Sequence, residues 1–284
     1  MSTAGLRARA TAAVALAAAS WGTWSLFLRP AELPASTAGA LVLVVMAVAT
    51  WPATRRAPAA VWDRTTWALL AGNCLLDAAN VLTFFAAMQT TTIAVAVLTH
   101  YLAPVLVALA APRIDDHRVR GAVPASAVAV AGLALVLEPW RSGGAPVGAV
   151  LGAISAVAYA GNVFVVRRLG QRIGAARAIS YHAAGAALLM APFAVAAGGH
   201  PTVGGVAWLT LGGIATGAIA GAAFVWGVGI IGSARAAMLA YLEPLVGVAV
   251  GALVWGEPLG RFAIVGGALV IASGVYVARG DSAS

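Results

Sequence analysis

The chain has 284 residues, of which 62% are hydrophobic and only 9% are charged, whereas soluble domains carry about 25% charged residues. This composition excludes a soluble globular protein and predicts an all-α integral membrane protein, since the length accommodates roughly ten membrane-spanning helices. The formal net charge of +8 comes from arginines between apolar runs, which indicates membrane topology and not binding to nucleic acid.

The apolar runs between charges and Gly/Pro clusters predict ten transmembrane helices. In chain order they cover residues 10–28, 35–53, 66–88, 91–111, 120–138, 146–166, 177–197, 204–231, 235–255 and 261–278. The charge-free run 178–234 is too long for one helix, and the Gly-Gly-His-Pro sequence at 198–201 marks the turn within it.

The arginines predict the orientation of these helices. If the N-terminus is cytoplasmic, only Arg29, Arg141 and Arg261 fall outside the cell. This asymmetry follows the positive-inside rule and predicts a multi-pass membrane protein with both termini in the cytoplasm. The first span resembles a secretory signal, but its counterpart in the second half favours its retention.

The sequence contains a sparse internal repeat with a shift of 139 or 140 positions. The aligned pairs include Gly22 with Gly161, Arg29 with Arg168, Tyr101 with Tyr241 and Pro104 with Pro244. The repeat predicts two five-helix units, residues 1–140 and 141–284. Because five is odd, equivalent helices cross the membrane in opposite directions, which is the inverted repeat of alternating-access transporters. Duplication also occurs in membrane enzymes and channels.

Several short motifs occur in the order found in one transporter family. They are Ser20-Trp21-Gly22, Tyr241-Leu242-Glu243-Pro244, Gly256-Glu257, and Gly266-Gly267 with Gly274. Together with the span count and the duplication, they make the chain resemble the EamA-type members of the drug/metabolite transporter superfamily. The resemblance implies secondary active export of small metabolites, such as amino acids or drugs, across the bacterial inner membrane.

The absence of a G-x-x-x-x-G-K-[ST] phosphate loop agrees with transport driven by a gradient. The expected partners are a small-molecule substrate, the lipid bilayer, and protons as the coupling ion. We expect no cofactor and no nucleic acid. The sequence does not distinguish a monomer from a homodimer. A membrane-embedded enzyme acting on lipid, with Asp115-Asp116-His117 as its best candidate cluster, and a passive channel are the alternatives. Flanking arginines favour a solvated loop for that cluster.

A polar stripe in the third span is the strongest site candidate. Asn73, Asp77 and Asn80 lie at positions i, i+4 and i+7, so they share one helical face. Ionisable groups at membrane depth usually serve a function, and we expect this face to line a central cavity. The alternative is that the amides join helices by hydrogen bonds.

Glu243 is the second acidic residue at membrane depth, and it precedes Pro244. A proline within a helix leaves a carbonyl unpaired and bends the axis, so Pro104 and Pro244 are predicted hinges. We expect Glu243 and Asp77 to carry protons. The alternative for Glu243 is a structural hydrogen bond to the freed backbone or a neighbouring hydroxyl.

The remaining predicted substrate-binding residues are aromatic or polar side chains within the spans. They are Trp21, Trp24, His100, Tyr101, Tyr159, Asn162 and Tyr241. His182 is interpreted as an ordinary buried hydrogen-bond partner. With the single cysteine Cys74 and no His/Cys motif, no metal site is expected.

Overall fold

Helices are the only regular secondary structure in the part of the chain that the structure describes. The structure is a computed structural model, and it describes residues 2–57, 59–115, 119–141 and 145–279, with the backbone alone at Phe85. These residues form helices and connections without a β-strand.

Ten helical segments follow one another in the described residues, and some contain a break. The segments are α1 Thr3–Ala31, α2 Ala35–Thr54, α3 Arg64–Thr90, α4 Ile93–Ile114, α5 Ala122–Leu137, α6 Pro146–Ile173, α7 Ala175–Ala197, α8 Val203–Ile231, α9 Ser233–Val254 and α10 Ala263–Arg279. Eight of them are long and apolar enough to span a membrane, while α5 and α10 are shorter apolar helices. The prediction of an all-α membrane protein is therefore confirmed.

α3 extends two residues beyond each of its predicted ends, and α6 extends seven residues beyond its predicted C-terminal end. α3 has 27 residues and α6 has 28, whereas the apolar runs predicted 66–88 and 146–166. A span predicted from hydropathy ends at the first charged residue, whereas the helix itself ends at the residues that cap it. Asp63 caps α3 by accepting a hydrogen bond from the Thr66 backbone N–H, and α6 continues through several arginines to Gly174, whose φ is 83°.

Breaks in α4 and α9 lie immediately before the two aligned prolines. α4 consists of Ile93–His100 and Ala103–Ile114, and α9 consists of Ser233–Leu239 and Leu242–Val254. Pro104 and Pro244 therefore stand in the first turn of a new segment, where the missing N–H costs no helical hydrogen bond. Movement at these breaks stays a prediction.

Four helix pairs make the most extensive contacts: α2 with α7, α3 with α6, α5 with α10, and α1 with α8. α2 and α7 are antiparallel, because the early Thr37 hydroxyl donates to the Ala194 carbonyl, while the Ser180 hydroxyl donates to the Ala47 carbonyl. α5 and α10 are also antiparallel and touch at Gly132 and Gly266, where a Cβ atom on either glycine would collide with the other's carbonyl oxygen.

The start of α1 and the end of α10 lie at one end of the bundle, which we call the termini end. There Arg7 of α1 lies near Arg235 of α9, and Asp115 accepts a hydrogen bond of 3.2 Å from the Ser233 backbone N–H. Tyr276, near the end of α10, lies against Gly121 at the start of α5. The connection from α1 to α2 lies at the opposite end.

Candidate functional site

A cavity of about 640 Å³ lies between α1, α2, α3, α6, α7 and α8, and α4 and α9 contribute His100 and Glu243 to its wall. It reaches the opposite end of the bundle at Arg29, whose side chain is half exposed. Ionisable side chains at membrane depth usually face the interior of the helix bundle and mark a functional site. This cavity, which contains such side chains, is therefore the candidate site.

Most of the predicted site residues line this one cavity. They are Trp21, Trp24, Asn73, Asp77, Asn80, His100, Tyr159, Asn162 and Glu243. Their contact with a solute stays a prediction. The shared wall follows from the packing of α3 against α6, which places the polar side chains of these two helices side by side on the cavity wall.

Tyr101 and Tyr241 are placed elsewhere. Both side chains are buried, and they belong to an apolar cluster with α5 and α10 that includes Leu133 and Val270. The Tyr241 hydroxyl donates a hydrogen bond of 3.1 Å to the Tyr101 carbonyl. The helix breaks turn these rings behind the cavity wall, so the structure does not place them against a solute.

Asp77 is the centre of a chain of polar contacts across three helices. Its Oδ2 lies 2.9 Å from His182 Nε2 of α7, and its Oδ1 accepts a hydrogen bond of 3.5 Å from Asn162 Nδ2 of α6. The Asn162 Oδ1 in turn accepts a hydrogen bond from Asn73 Nδ2. This chain holds the carboxylate in place at the cavity wall.

Asn80 belongs to a second chain. The Ser155 hydroxyl donates to Asn80 Oδ1 at 2.9 Å, and His100 Nδ1 lies 2.7 Å from the same hydroxyl oxygen. Since a hydroxyl has one proton and Ser155 gives it to Asn80, His100 Nδ1 must be the donor to Ser155. The His100 ring also packs on Phe84, with 4.4 Å between ring centroids.

Two residues of these chains escaped the sequence analysis. Ser155 stands with Tyr159 and Asn162 at positions i, i+4 and i+7 of α6, the same spacing as the stripe on α3, and this periodicity was the signal that could have found it. His182 was interpreted as an ordinary core histidine, but it lines the cavity and pairs with Asp77. No periodic partner on α7 marks it.

Several buried polar atoms of the lining have no hydrogen-bond partner among the described residues. They are Asn73 Oδ1, Tyr159 Oη and both ring nitrogens of His182. Buried polar groups are normally satisfied, so these atoms are available to bind water or a polar solute. No group of three or more His, Cys, Asp or Glu residues that could hold a metal ion is found in the part of the chain described.

Glu243 lies where α9 meets α1. Its carboxyl group lies near the Tyr101 hydroxyl. Its backbone touches Gly22, where a Cβ atom would come within 2.4 Å of the Glu243 carbonyl oxygen. A neighbouring hydroxyl is what the structural alternative for Glu243 requires, and the proton-carrying role stays a prediction.

The facing wall of the cavity is apolar and aromatic. Trp21 and Phe224 pack with their ring centroids 4.9 Å apart, and the Trp21 indole N–H donates to the Thr216 carbonyl at 3.0 Å. Val42, Met46 and other aliphatic side chains of α2 complete this wall. A solute in the cavity therefore meets polar groups on one side and apolar rings on the other.

Ion pairs tie the helices together at the termini end. Arg167 Nη1 of α6 lies 3.0 Å from Asp115 Oδ1 after α4, and this pair is nearly buried, with 14% and 1% of the side chains exposed. Asp116 and His117 of the predicted enzyme-like cluster lie outside the described residues. Arg172 pairs with Asp63 before α3, and the hydrogen bond from the Thr66 backbone N–H, reinforced by Arg172, lowers the pKa of Asp63.

A more open ion pair lies at the opposite end. Arg29 of α1 pairs with Glu257 after α9, and about half of each side chain is exposed. The Arg29 guanidinium also lies over the Trp255 ring, 4.9 Å from its centroid, a favourable cation–π arrangement. This pair borders the mouth of the cavity.

Comparison with known proteins agrees with the resemblance seen in the motifs. The model of the EamA-like transporter family matches residues 146–279. A relative from Archaeoglobus fulgidus, described as an uncharacterized transporter, is 31% identical over 219 residues, which are 76% of each chain. The chain belongs to the EamA-like transporter family. It is thus a multi-pass membrane transporter.

The EamA-like match begins with α6 and ends with α10. A solved crystal structure also resembles the chain, with a TM-score of 0.78, 20% sequence identity, and coverage of 95% of this chain and 97% of the other. At that identity the likeness concerns the fold alone.

Proposed function

We propose that the protein is a secondary active transporter that exports small amphipathic solutes, amino acids or drugs among them, across the bacterial inner membrane by alternating access. The observation that carries this proposal is the cavity of about 640 Å³, which combines partnerless buried polar atoms with an aromatic wall at the meeting point of helices from both halves. Small-molecule sites are concave and largely apolar, with a few convergent polar groups.

The proposal includes ten spans in two inverted repeats, residues 1–140 and 141–284. Support comes from the helix pairs. In the repeat, α1 to α5 are equivalent to α6 to α10. When each helix is replaced by its equivalent, the α1–α8 pair becomes the α6–α3 pair, and the α2–α7 and α5–α10 pairs stay the same. The helices of the last two pairs are antiparallel, as an inverted repeat requires. The arginine distribution supports placing both termini in the cytoplasm.

The ion pairs at the two ends support alternating access. Arg29 and Arg168 are aligned in the repeat, and Arg167 is the neighbour of Arg168. Each arginine lies toward the end of the first helix of its half and pairs with an acidic residue that follows the fourth helix of the other half. Arg29 pairs with Glu257, and Arg167 pairs with Asp115. We infer that the buried pair seals the termini end while the cavity is open at the other end.

Proton coupling is proposed for Asp77 and Glu243. Both are carboxyl groups at membrane depth that line the cavity, and each lies near a polar side chain of another helix, Asn162 for Asp77 and Tyr101 for Glu243. A carboxyl group in such a place can exchange a proton when a solute arrives or leaves.

The first experiment is counterflow in proteoliposomes with a panel of labelled amino acids and cationic drugs. The wild type is compared with Asp77→Asn and Glu243→Gln, and Glu32→Gln is the matched control because this exposed residue lies outside the cavity. Saturable exchange that both cavity variants lose and the control keeps supports the proposal. Flux that does not saturate would contradict a carrier and indicate a channel.

A further inference from the structure

The deep part of the cavity wall carries two carboxyl groups and no arginine among its described residues. Asp77 and Glu243 place two carboxyl groups in the lining. Among the described lining residues, Arg29 is the one arginine, and it lies at the mouth and is already paired with Glu257. The deep part of the cavity therefore attracts a cation and repels a carboxylate.

The hydrogen-bond chain fixes the direction of the amide groups. An ionised Asp77 only accepts hydrogen bonds, so Asn162 must turn its N–H2 group to Asp77 and its oxygen to Asn73. Asn73 then donates to Asn162, and its own oxygen, buried and without a partner, is left as an acceptor. The chain thus ends in an acceptor on the cavity wall.

His182 lies beside the same carboxylate. Its Nε2 is 2.9 Å from Asp77 Oδ2. The unpaired Tyr159 hydroxyl lies one turn from Asn162 on α6 and interacts electrostatically with both Asp77 and Glu243.

These groups together form a site for a donor-rich cation. An alkylammonium group carries N–H donors and no acceptor, and the carboxylate, the Asn73 oxygen and the Tyr159 oxygen offer it acceptors. The apolar body of such a solute fits the facing wall, where the paired rings of Trp21 and Phe224 give a surface that also favours cations.

We propose that the cavity binds monovalent organic cations, amines with an aromatic or aliphatic body and no carboxylate group. This inference rests on the proposed transport function and narrows its substrate class. A free amino acid would bring its α-carboxylate close to Asp77 and Glu243, and the described deep lining offers no guanidinium to receive it.

Four ligands with one phenyl body and different charge test the proposal: phenethylamine, phenylalanine, 2-phenylethanol and 3-phenylpropionate. Binding to the full-length protein in nanodiscs is measured by calorimetry at neutral pH. We expect phenethylamine to bind at least about tenfold more tightly than each of the others, since a charge-assisted hydrogen bond is worth more than a neutral one. Equal or tighter binding of phenylalanine would overturn the proposal.

Asp77→Asn should weaken phenethylamine binding by about tenfold or more and leave 2-phenylethanol unaffected, while Glu32→Gln should change neither. If Asp77→Asn is not monodisperse, the ligand series on the wild type decides alone. Unchanged phenethylamine affinity in a folded Asp77→Asn variant would refute the assignment.

Counterflow with the same ligands separates this inference from the transport proposal. Phenethylamine that binds but is not exchanged would leave the cation site intact and refute the carrier. A different outcome is that phenylalanine is exchanged while phenethylamine is neither bound nor exchanged at millimolar concentration. That outcome would support the carrier and refute the cation class.

Discussion

The Tyr241 hydroxyl donates a hydrogen bond of 3.1 Å to the backbone carbonyl of Tyr101, a residue 140 positions away. The two residues are aligned in the internal repeat, and each stands at the break of its helix. In a continuous helix the Tyr101 carbonyl would accept from the Val105 N–H, but that N–H bonds the Leu102 carbonyl at 3.0 Å. Tyr241 therefore satisfies a carbonyl that the break has freed, and it joins the two breaks.

Tyr241→Phe removes this hydrogen bond and leaves the buried Tyr101 carbonyl without it. We expect a loss of about 1 to 3 kcal/mol in stability, the cost of an unsatisfied buried polar group, seen as a lower melting temperature in detergent. Tyr276→Phe is the control, because that side chain is 58% exposed and should change little. Equal melting temperatures for the two variants would show that the hydrogen bond does not stabilise the junction.

Two aligned glycines should respond differently to the same substitution. A Cβ atom on Gly22 would lie 2.4 Å from the Glu243 carbonyl oxygen and 2.6 Å from Val246 Cβ, whereas one on Gly161 would meet Leu76 Cδ1 at 3.4 Å. Gly22→Ala must therefore push α1 away from α9, at a cost of about 1 to 3 kcal/mol.

Gly161→Ala should be neutral or slightly stabilising, since alanine favours a helix by up to about 1 kcal/mol over glycine. Melting temperatures of the two purified variants check the difference. We also expect Gly22→Ala to impair transport, because it displaces Glu243 from the cavity wall. A normal Gly22→Ala variant would mean that the contact between α1 and α9 relaxes freely.

The sequence predicted well those features that depend on local periodicity. Long apolar runs identified the helices, and the spacing of Asn73, Asp77 and Asn80 identified a shared polar face that lines the cavity. The ends of α3 and α6 were missed because charged residues extend both helices past the apolar runs. Caps such as Asp63 and Gly174 set these ends.

Features that depend on packing between distant helices could not be predicted in the same way. His182 has no periodic partner on α7, and it becomes part of the site only because α7 brings it to Asp77. Tyr101 and Tyr241 were expected in the cavity because they are aromatic residues that lie within the spans and not at their ends. The direction in which a helix break turns its side chains is decided by the neighbouring helices, here α5 and α10.

Acid should remove the contribution of Asp63 to stability. Its pKa is lowered from the ordinary value by the Thr66 backbone hydrogen bond and the Arg172 pair, so the ionised form stabilises the fold above the unfolded-state pKa, and this is lost as pH falls through the folded-state pKa. The melting-temperature difference between wild type and Asp63→Asn should stay constant from about pH 8 to about pH 5 and shrink below about pH 4. A difference that grows on acidification would contradict this assignment.

The ion pairs at the two ends should differ in their effect on access to the cavity from the termini end. Neutralising Arg167 removes a charged partner of the buried Asp115 carboxyl group, which destabilises the closed arrangement. Arg167→Gln should therefore shift the protein toward opening at the termini end. Arg29→Gln removes an exposed pair of small energetic value, so it should leave the termini end closed.

A cysteine at Val163, which lines the cavity, in a Cys74→Ala background reports this access through labelling by a membrane-impermeant maleimide. In vesicles that expose only the termini end, we expect labelling of the Val163 cysteine to be slow in the parent and in Arg29→Gln, and several-fold faster in Arg167→Gln. Asp115→Asn should act like Arg167→Gln, and the double variant should add little, because both changes break the same pair. Equal labelling rates in all five proteins would show that the Arg167–Asp115 pair does not control the termini end, and the proposed alternation between two ion pairs would be abandoned.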